Sequence, residues 1–256
     1  MDVLMVGAGA MGRWLGRVLL EVDDSPPDEE SLEVSFYDTD PDVAEATASE
    51  TGGRALHSLD DDEFDLVCIA VPIPVASAAM EEHAPRARTA VIDVTGTMTE
   101  PVELMARYAP ECERCSLHPL FAPANEPGNI PVVVDENGPV TSYLRNALVA
   151  RGNHVFETTP DEHDAAMETV QAKAHAAVLS FALAADEVPD AFHTPISAEL
   201  CALADAVLDG NPSVYAEIQG AFAGATDVVA AAERIAAADT DGFEDLYRIA
   251  RSRRRS

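Results

Sequence analysis

A chain of 256 residues with 46 Asp plus Glu against 16 Lys plus Arg carries a formal net charge of −30. That field repels nucleic-acid phosphates and anionic lipid and excludes both as whole-chain partners. A hydrophobic fraction of 47% is ordinary for a globular protein and sufficient for one large or two modest domains, so disorder does not explain the charge.

Asp2 to Val6 is a short apolar run closed by Gly7, after which Trp14, Leu15, Val18 and Leu19 recur at helical spacing up to Val22. Past an acidic, proline-containing loop from Asp23 to Glu30, Leu32 to Tyr37 reads as a second strand ending at Asp38, with a helix opening after Pro41. Further strands are expected at Leu66 to Ala70, Ala90 to Val94, Cys115 to Leu117, Ile130 to Val134 and His154 to Glu157, with helices between several of them, which makes an α/β sheet. At Thr159, Pro160 and Glu162 a capping hydroxyl, a first-turn proline and a glutamate three on mark a helix start. Everything from there to Ala250 reads helical, with breaks near Pro189, Pro195, Asn211 to Pro212 and Asp239 to Gly242. No run approaches the ~18 to 20 apolar residues of a membrane span and no secretory signal precedes the first strand, so no membrane association is expected. Four cysteines do not make a disulfide framework, and a cytoplasmic protein with reduced thiols is expected. Cys112 and Cys115 form a lone CxxC without a second metal-ligand pair, and no metal is expected.

Gly7, Gly9 and Gly12 form G-x-G-x-x-G directly after the first strand and at the head of a helix, where free N–H groups and the helix dipole accept a pyrophosphate. Asp38 ends the second strand a little beyond the usual ~20-residue separation, because of the inserted loop. A carboxylate there accepts hydrogen bonds from ribose hydroxyls and repels a 2′-phosphate, which favours NAD over NADP, although the neighbouring Thr39 hydroxyl tolerates phosphate. Ala70-Val71-Pro72-Ile73-Pro74 is a strand end on the same edge, and Val71 and Pro72 read either as a wall beside the dinucleotide or as an ordinary strand-ending turn. His118 sits at another strand end, followed by Pro119 and Pro123. Its imidazole suits proton transfer from a substrate hydroxyl, or a structural hydrogen bond, about equally.

The ordered set Gly7-Ala8-Gly9-Ala10-Met11-Gly12, Ala70-Val71-Pro72-Ile73, Val91-Ile92-Asp93-Val94, Leu117-His118-Pro119-Leu120-Phe121 and Glu162-His163-Asp164 resembles the prephenate dehydrogenase family. The likeness continues through Val170-Gln171-Ala172, His175 and Asn211 to Ile218. It implies a Rossmann-type dinucleotide-binding domain over residues 1–158, an all-α dimerisation and substrate domain over 159–250, a basic tail over 251–256, and no fused mutase or regulatory domain. It further implies NAD-dependent oxidative decarboxylation of prephenate in tyrosine biosynthesis by a homodimer joined through its C-terminal helices. In that resemblance Gly7, Gly9, Ala10, Met11, Gly12, Asp38, Val71 and Pro72 meet the cofactor and His118 is catalytic. Gln171 and His175 face the substrate, whereas His163 and Asp164 orient the turn that carries them.

The departures concern the substrate. Where family members carry Asp-x-x-Ser, this chain has Asp93-Val94-Thr95-Gly96, so Thr95 or Thr97 is the candidate hydroxyl. An arginine many members use for a substrate carboxylate is matched by Ala206, and no arginine lies between Arg151 and Arg234. Lys173, the single lysine, is the natural replacement, yet α-helical geometry turns it about 200° from Gln171 and His175. Structural pairing therefore weighs equally for it, and Arg234, Arg248 and the tail complete the list of candidate cations. Arogenate is the rival substrate. A non-catalytic dinucleotide sensor and another β-hydroxyacid-type dehydrogenase are the alternatives of other kinds. The acidic, lysine-poor composition resembles that of cytosolic proteins from extreme halophiles, in which molar salt shortens the Debye length to about 3 Å.

Overall fold

The computed structural model describes residues 1–21 and 32–253; Val22, the loop from Asp23 to Glu30 and the last three residues of the tail lie outside the described residues. Two compact units divide the chain, Met1–Ala165 and Ala166–Ser256.

The first unit is built on one eight-stranded sheet. In chain order its elements are β1 (Asp2–Val6), α1 (Ala10–Leu20), β2 (Glu33–Tyr37), α2 (Pro41–Thr51), β3 (Arg54–Leu56), β4 (Phe64–Ile69), α3 (Ile73–His83), β5 (Ala87–Asp93), α4 (Thr99–Tyr108) and β6 (Glu113–Leu117). β7 (Asn129–Glu136), α5 (Pro139–Ala150), β8 (His154–Glu157) and the start of α6 (Pro160–Met167) follow. The strand order is β3-β2-β1-β4-β5-β6-β7-β8, so the direction of winding reverses between β1 and β4, where such sheets open a crevice for ligands. The strands β1 to β6 pair in parallel, whereas β7 runs antiparallel to β6. The stretch from Leu117 to Asn129 contains only a short 3₁₀ turn and no crossover helix, so the chain returns antiparallel.

Strands covered on both faces need no polar alternation, which explains the unbroken apolar run of β1. Val3 and Met5 pack on one side with Leu15, Val18 and Phe36, while Leu4 and Val6 pack on the other with Val67 and Met80. β3 is a short edge strand that the sequence pattern does not mark, and β4, β5 and β6 each begin two or three residues before the expected apolar stretch.

α6 begins with the expected reciprocal cap: Glu162 N–H donates to Thr159 Oγ1 and Thr159 N–H to Glu162 Oε2. Its first residues count with the sheet, because Asp164 and His163 are hydrogen-bonded to α4 and to the end of β6.

The second unit holds a π-helical turn (Glu168–Lys173), then α7 (Ala174–Ala184), α8 (Pro195–Leu208), α9 (Pro212–Ala221), α10 (Gly224–Ala237) and α11 (Thr240–Arg253). The π turn corrects the angular reckoning for Lys173, which assumed α-helical steps throughout. The Gln219 side chain reaches one of the turn's carbonyls: Nε2 donates to Ala172 O at 2.9 Å. α10 starts against this turn at Gly224, where a Cβ would lie 2.8 Å from the Ala172 Cβ. Arg251 to Arg253 continue α11, where cations in the last turn complement the helix dipole. Among the described residues no helix is long and apolar enough to cross a membrane.

Candidate active site

The turn between β1 and α1 is set by what cannot fit there. Gly7 has φ +90°, and a Cβ on it would lie 2.4 Å from Ala70 O; on Gly12 it would lie 1.9 Å from Gly7 O. Gly9 has nothing within 4 Å of its Cβ position, so the backbone at the head of α1 is open to an approaching ligand. Gly9 is the N-cap and makes no side-chain cap, leaving the helix end to an anion. Ala10 and Met11 open this first turn. The half-buried Asp38 braces the turn: Oδ2 accepts from Ala8 N at 2.8 Å and Oδ1 from Asp40 N at 3.0 Å. Each oxygen keeps acceptor capacity for a ribose hydroxyl. The buried Thr47 hydroxyl donates to Ala8 O at 2.7 Å and holds the turn from the other side. A dinucleotide fits this cradle.

Parallel register aligns the carboxyl ends of the neighbouring strands, Val6 with Ile69, Ile69 with Asp93 and Asp93 with Ser116. The glycine turn, Val71 and Pro72, the Thr95 to Thr97 turn and His118 therefore follow one another along one sheet edge. Three interstrand steps of about 4.8 Å put His118 about 14 Å from the glycine turn. Val71 is half-buried, and Pro72 is exposed as the N-cap of α3.

The turn after β5 hangs on a buried acid that the sequence motif contains but does not explain. Asp93 has no exposed surface; its Oδ2 accepts from Ser116 Oγ at 2.8 Å and Thr95 Oγ1 at 3.3 Å, and Oδ1 from Thr95 N at 3.2 Å. Burial pushes its pKa up to about 7, against the hydrogen bonds from Ser116 and Thr95. The Thr95 hydroxyl is thus turned inward, with Thr97 O as its other acceptor, and does not face the crevice. Thr97 is half-buried and remains the candidate hydroxyl of this turn. Gly96 fits because a Cβ there would press within 2.9 Å of Ile73 Cδ1.

His118 is pinned at the end of β6, where its N–H donates to Pro131 O of β7. Its ring is buried, and its Nδ1 lies 3.0 Å from His163 Nε2. His163 Nδ1 lies 2.8 Å from Asp164 Oδ1. Burial, with the neighbouring His163 second and against the pull of Asp164, lowers the His118 pKa to about 3, so the imidazole is neutral. Burial alone would raise the Asp164 carboxyl, but hydrogen bonds from His163, Thr99 and Met98 outweigh it and hold it at about 2. The loop after His118 is anchored on α1 and α5. Phe121 stacks edge-on against Trp14 at 5.7 Å, and Glu126 takes a bidentate bond from Arg151 and one from Asn153.

In the helical unit Lys173 is committed to an ion pair, Nζ to Asp227 Oδ2 at 2.6 Å. Gln171 lies within the π turn and is half-buried. His175 packs edge-on against Tyr215 at 4.8 Å, and its buried Nδ1 meets no hydrogen-bond partner among the described residues; burial lowers its pKa. Arg248 pairs with Glu244 and Asp245 within α11. Arg234 forms no ion pair among the described residues and lines a groove of about 340 Å³ with Ile235, Leu246, Ile249 and Arg253. Ala206 is exposed on α8.

Comparison with known proteins agrees with the motif order. The chain is 33% identical over 172 residues to a 4-amino-4-deoxyprephenate dehydrogenase of Streptomyces pristinaespiralis, covering 63% of this chain and 58% of that protein. It is 27% identical over 170 residues to a probable arogenate/prephenate dehydrogenase of Methanocaldococcus jannaschii, covering 60% and 38%. The chain thus spans less than two thirds of either relative. A solved prephenate dehydrogenase from A. aeolicus, in complex with hydroxyphenyl propionate and NAD+, superposes over 100% of this chain and 98% of its own with TM-score 0.68 at 14% identity. A Synechocystis arogenate dehydrogenase does so over 98% and 97%, with TM-score 0.61 at 17% identity. No family model matches. The likeness is to the prephenate dehydrogenases.

Against that likeness, the thiols have no visible chemistry. Cys112 and Cys115 are buried and unbridged, Cys115 pushed by burial up to about 12, and no metal-holding cluster occurs among the described residues. Sequence reasoning quoted His163 and Asp164 as part of a motif but missed their link to His118, because the residues concerned are 45 apart in the chain.

Proposed function

We propose that the chain is an NAD-dependent dehydrogenase that converts prephenate to 4-hydroxyphenylpyruvate and CO₂ in aromatic amino acid biosynthesis. The observation that carries the reading is a buried, neutral histidine, His118, held at a strand end on the same sheet edge as a glycine cradle suited to a dinucleotide. Gly7, Gly9, Ala10, Met11 and Gly12 would hold the pyrophosphate at the head of α1, Asp38 the ribose hydroxyls, and Val71 and Pro72 the flank of the cofactor. When bound, the nicotinamide accepts a hydride from the substrate ring carbon.

His118 accepts a hydrogen bond from the hydroxyl on that carbon. As the C–H bond gives up its electron pair, the oxygen gains positive character, and the O–H proton shifts toward the imidazole. Loss of CO₂ returns an electron pair to the ring, which becomes aromatic, and the proton returns to the phenol oxygen. Thr97, Gln171 and His175 are the substrate-binding candidates, the last with a buried ring nitrogen that meets no hydrogen-bond partner among the described residues. A homodimer joined through the helical unit is supported by apolar side chains that unit leaves exposed, Leu183 at 88%, Ile196 at 79% and Phe192 at 78%. A salt-rich cytoplasm is supported by the net charge of −30.

The name of the Streptomyces relative favours a second reading, in which the ring carries an amine in place of the hydroxyl. NADH formation at molar KCl from prephenate, arogenate and 4-amino-4-deoxyprephenate, each with NAD and NADP, separates these. The expected result is turnover of prephenate with NAD, lowered at least 10²-fold by His118→Asn. Cofactor binding without turnover of any of the three would replace the enzyme with a dinucleotide sensor.

A further inference from the structure

We propose that Asp164 and His163 are positioning residues that fix His118 as its Nδ1–H tautomer, so that the lone pair of Nε2 is the one offered to the substrate. The inference rests on the dehydrogenase reading for its catalytic meaning, but the proton inventory behind it stands on hydrogen-bond geometry.

The inventory starts at Asp164. Its Oδ1 accepts from Met98 N at 3.0 Å, and its Oδ2 from Thr99 N at 3.1 Å and Thr99 Oγ1 at 2.6 Å. Two backbone N–H groups at the head of α4 and the Thr99 hydroxyl converge on the two oxygens, and these hydrogen bonds keep Asp164 an ionised acceptor. The His163 nitrogen 2.8 Å from Oδ1 is Nδ1, and it must carry a hydrogen. A neutral imidazole has only one, so His163 Nε2 is bare. The atom 3.0 Å away, His118 Nδ1, must then donate, which leaves His118 Nε2 without a hydrogen. One ring hydrogen on His163, at Nδ1, is enough to meet both of its ring contacts.

The chemical consequence is direct. With the opposite tautomer His118 would present an N–H to the substrate hydroxyl and could not take its proton. After Nε2 accepts the proton, the imidazolium still donates through Nδ1 to His163, and the Asp164 charge lies one residue beyond. The same carboxylate grips Met98 and Thr99, so the orientation of the imidazole and the placement of the turn bearing Thr97 depend on a single side chain.

The test is a multiple-bond ¹H–¹⁵N correlation spectrum of the full chain labelled with ¹⁵N-histidine at neutral pH, assigned with His118→Asn and His163→Gln. The expected pattern is a protonated Nδ1 and a bare Nε2 on both His118 and His163. Finding His118 protonated at Nε2 would overturn the proposal in the unmodified protein, whatever the variants do. Asp164→Asn, which puts an amide N–H against one of its donors, is expected to scramble the tautomer and lower kcat by about 10²-fold with KM within about threefold. His163→Gln can still accept from His118 Nδ1 and should retain more activity than His163→Leu. A folded Asp164→Asn with unchanged spectrum and kcat would also overturn it. The expected spectrum from a wild type that makes no NADH would support the tautomer and refute the dehydrogenase reading instead.

Discussion

Replacing Asp93 with asparagine should remove a pH dependence from the stability of the protein. Asp93 is fully buried and its pKa is raised by burial from the ordinary 3.8 to about 7. A carboxyl raised on folding contributes stability that is complete below pH 3.8 and is lost as pH rises through 7, because the folded state then gives up a proton it holds more tightly than the unfolded chain does. At 1.36 kcal/mol per unit the full range is about 4 kcal/mol, of which about 3 kcal/mol falls between pH 5 and 8.5. Asparagine suits the site. Its oxygen can face Thr95 N as Oδ1 does now, and its amide can face Ser116 Oγ and Thr95 Oγ1, hydroxyls able to turn and accept. Urea titrations of wild type and Asp93→Asn at constant ionic strength should show the difference between them moving by about 3 kcal/mol in favour of the variant from pH 5 to 8.5. His118, whose pKa is displaced in the opposite sense, is present in both proteins and cancels. A difference that is the same at both pH values would refute the reasoning and mean that Asp93 is ionised throughout.

Gly12→Ala must displace backbone, since its Cβ would lie 1.9 Å from Gly7 O; a loss of about 1–3 kcal/mol in denaturant and a marked loss of NADH affinity by fluorescence titration are expected. Gln219→Leu removes the side-chain hydrogen bond to the Ala172 carbonyl of the π turn and should cost about 0.5–1.5 kcal/mol by the same denaturation assay. Lys173→Met removes a partly exposed ion pair with Asp227 and should change stability by less than about 1 kcal/mol at molar salt; a loss of several kcal/mol would show that the pair does more than the surface geometry indicates.

Local features of the sequence reached the fold. Apolar runs mark most strands of the sheet, and the reciprocal cap at Thr159 and Glu162 marks the start of the helical half, because burial pattern and capping act within a few residues of each other. The glycine cradle was legible for the same reason: strand, turn and helix are contiguous, and the steric demand at Gly7 and Gly12 concerns the turn itself and the adjoining strand. The antiparallel β7 was not, since strand direction follows from the length of the connection and leaves no periodicity behind.

His118 could be singled out from its own strand end, but what prepares it comes from elsewhere in the chain. Folding brings His163 onto its Nδ1 and Asp164 onto both α4 and His163, and it turns the Thr95 hydroxyl inward onto Asp93. The π turn at Glu168 to Lys173 likewise depends on Gly224 and Gln219, which approach it only in the folded helical unit. The sequence by itself determined most of the element types, the glycine turn and the candidate histidine, all of them consequences of short-range sterics and patterning. Only tertiary structure decided which polar groups share protons, because hydrogen bonding and burial depend on neighbours that are distant in sequence.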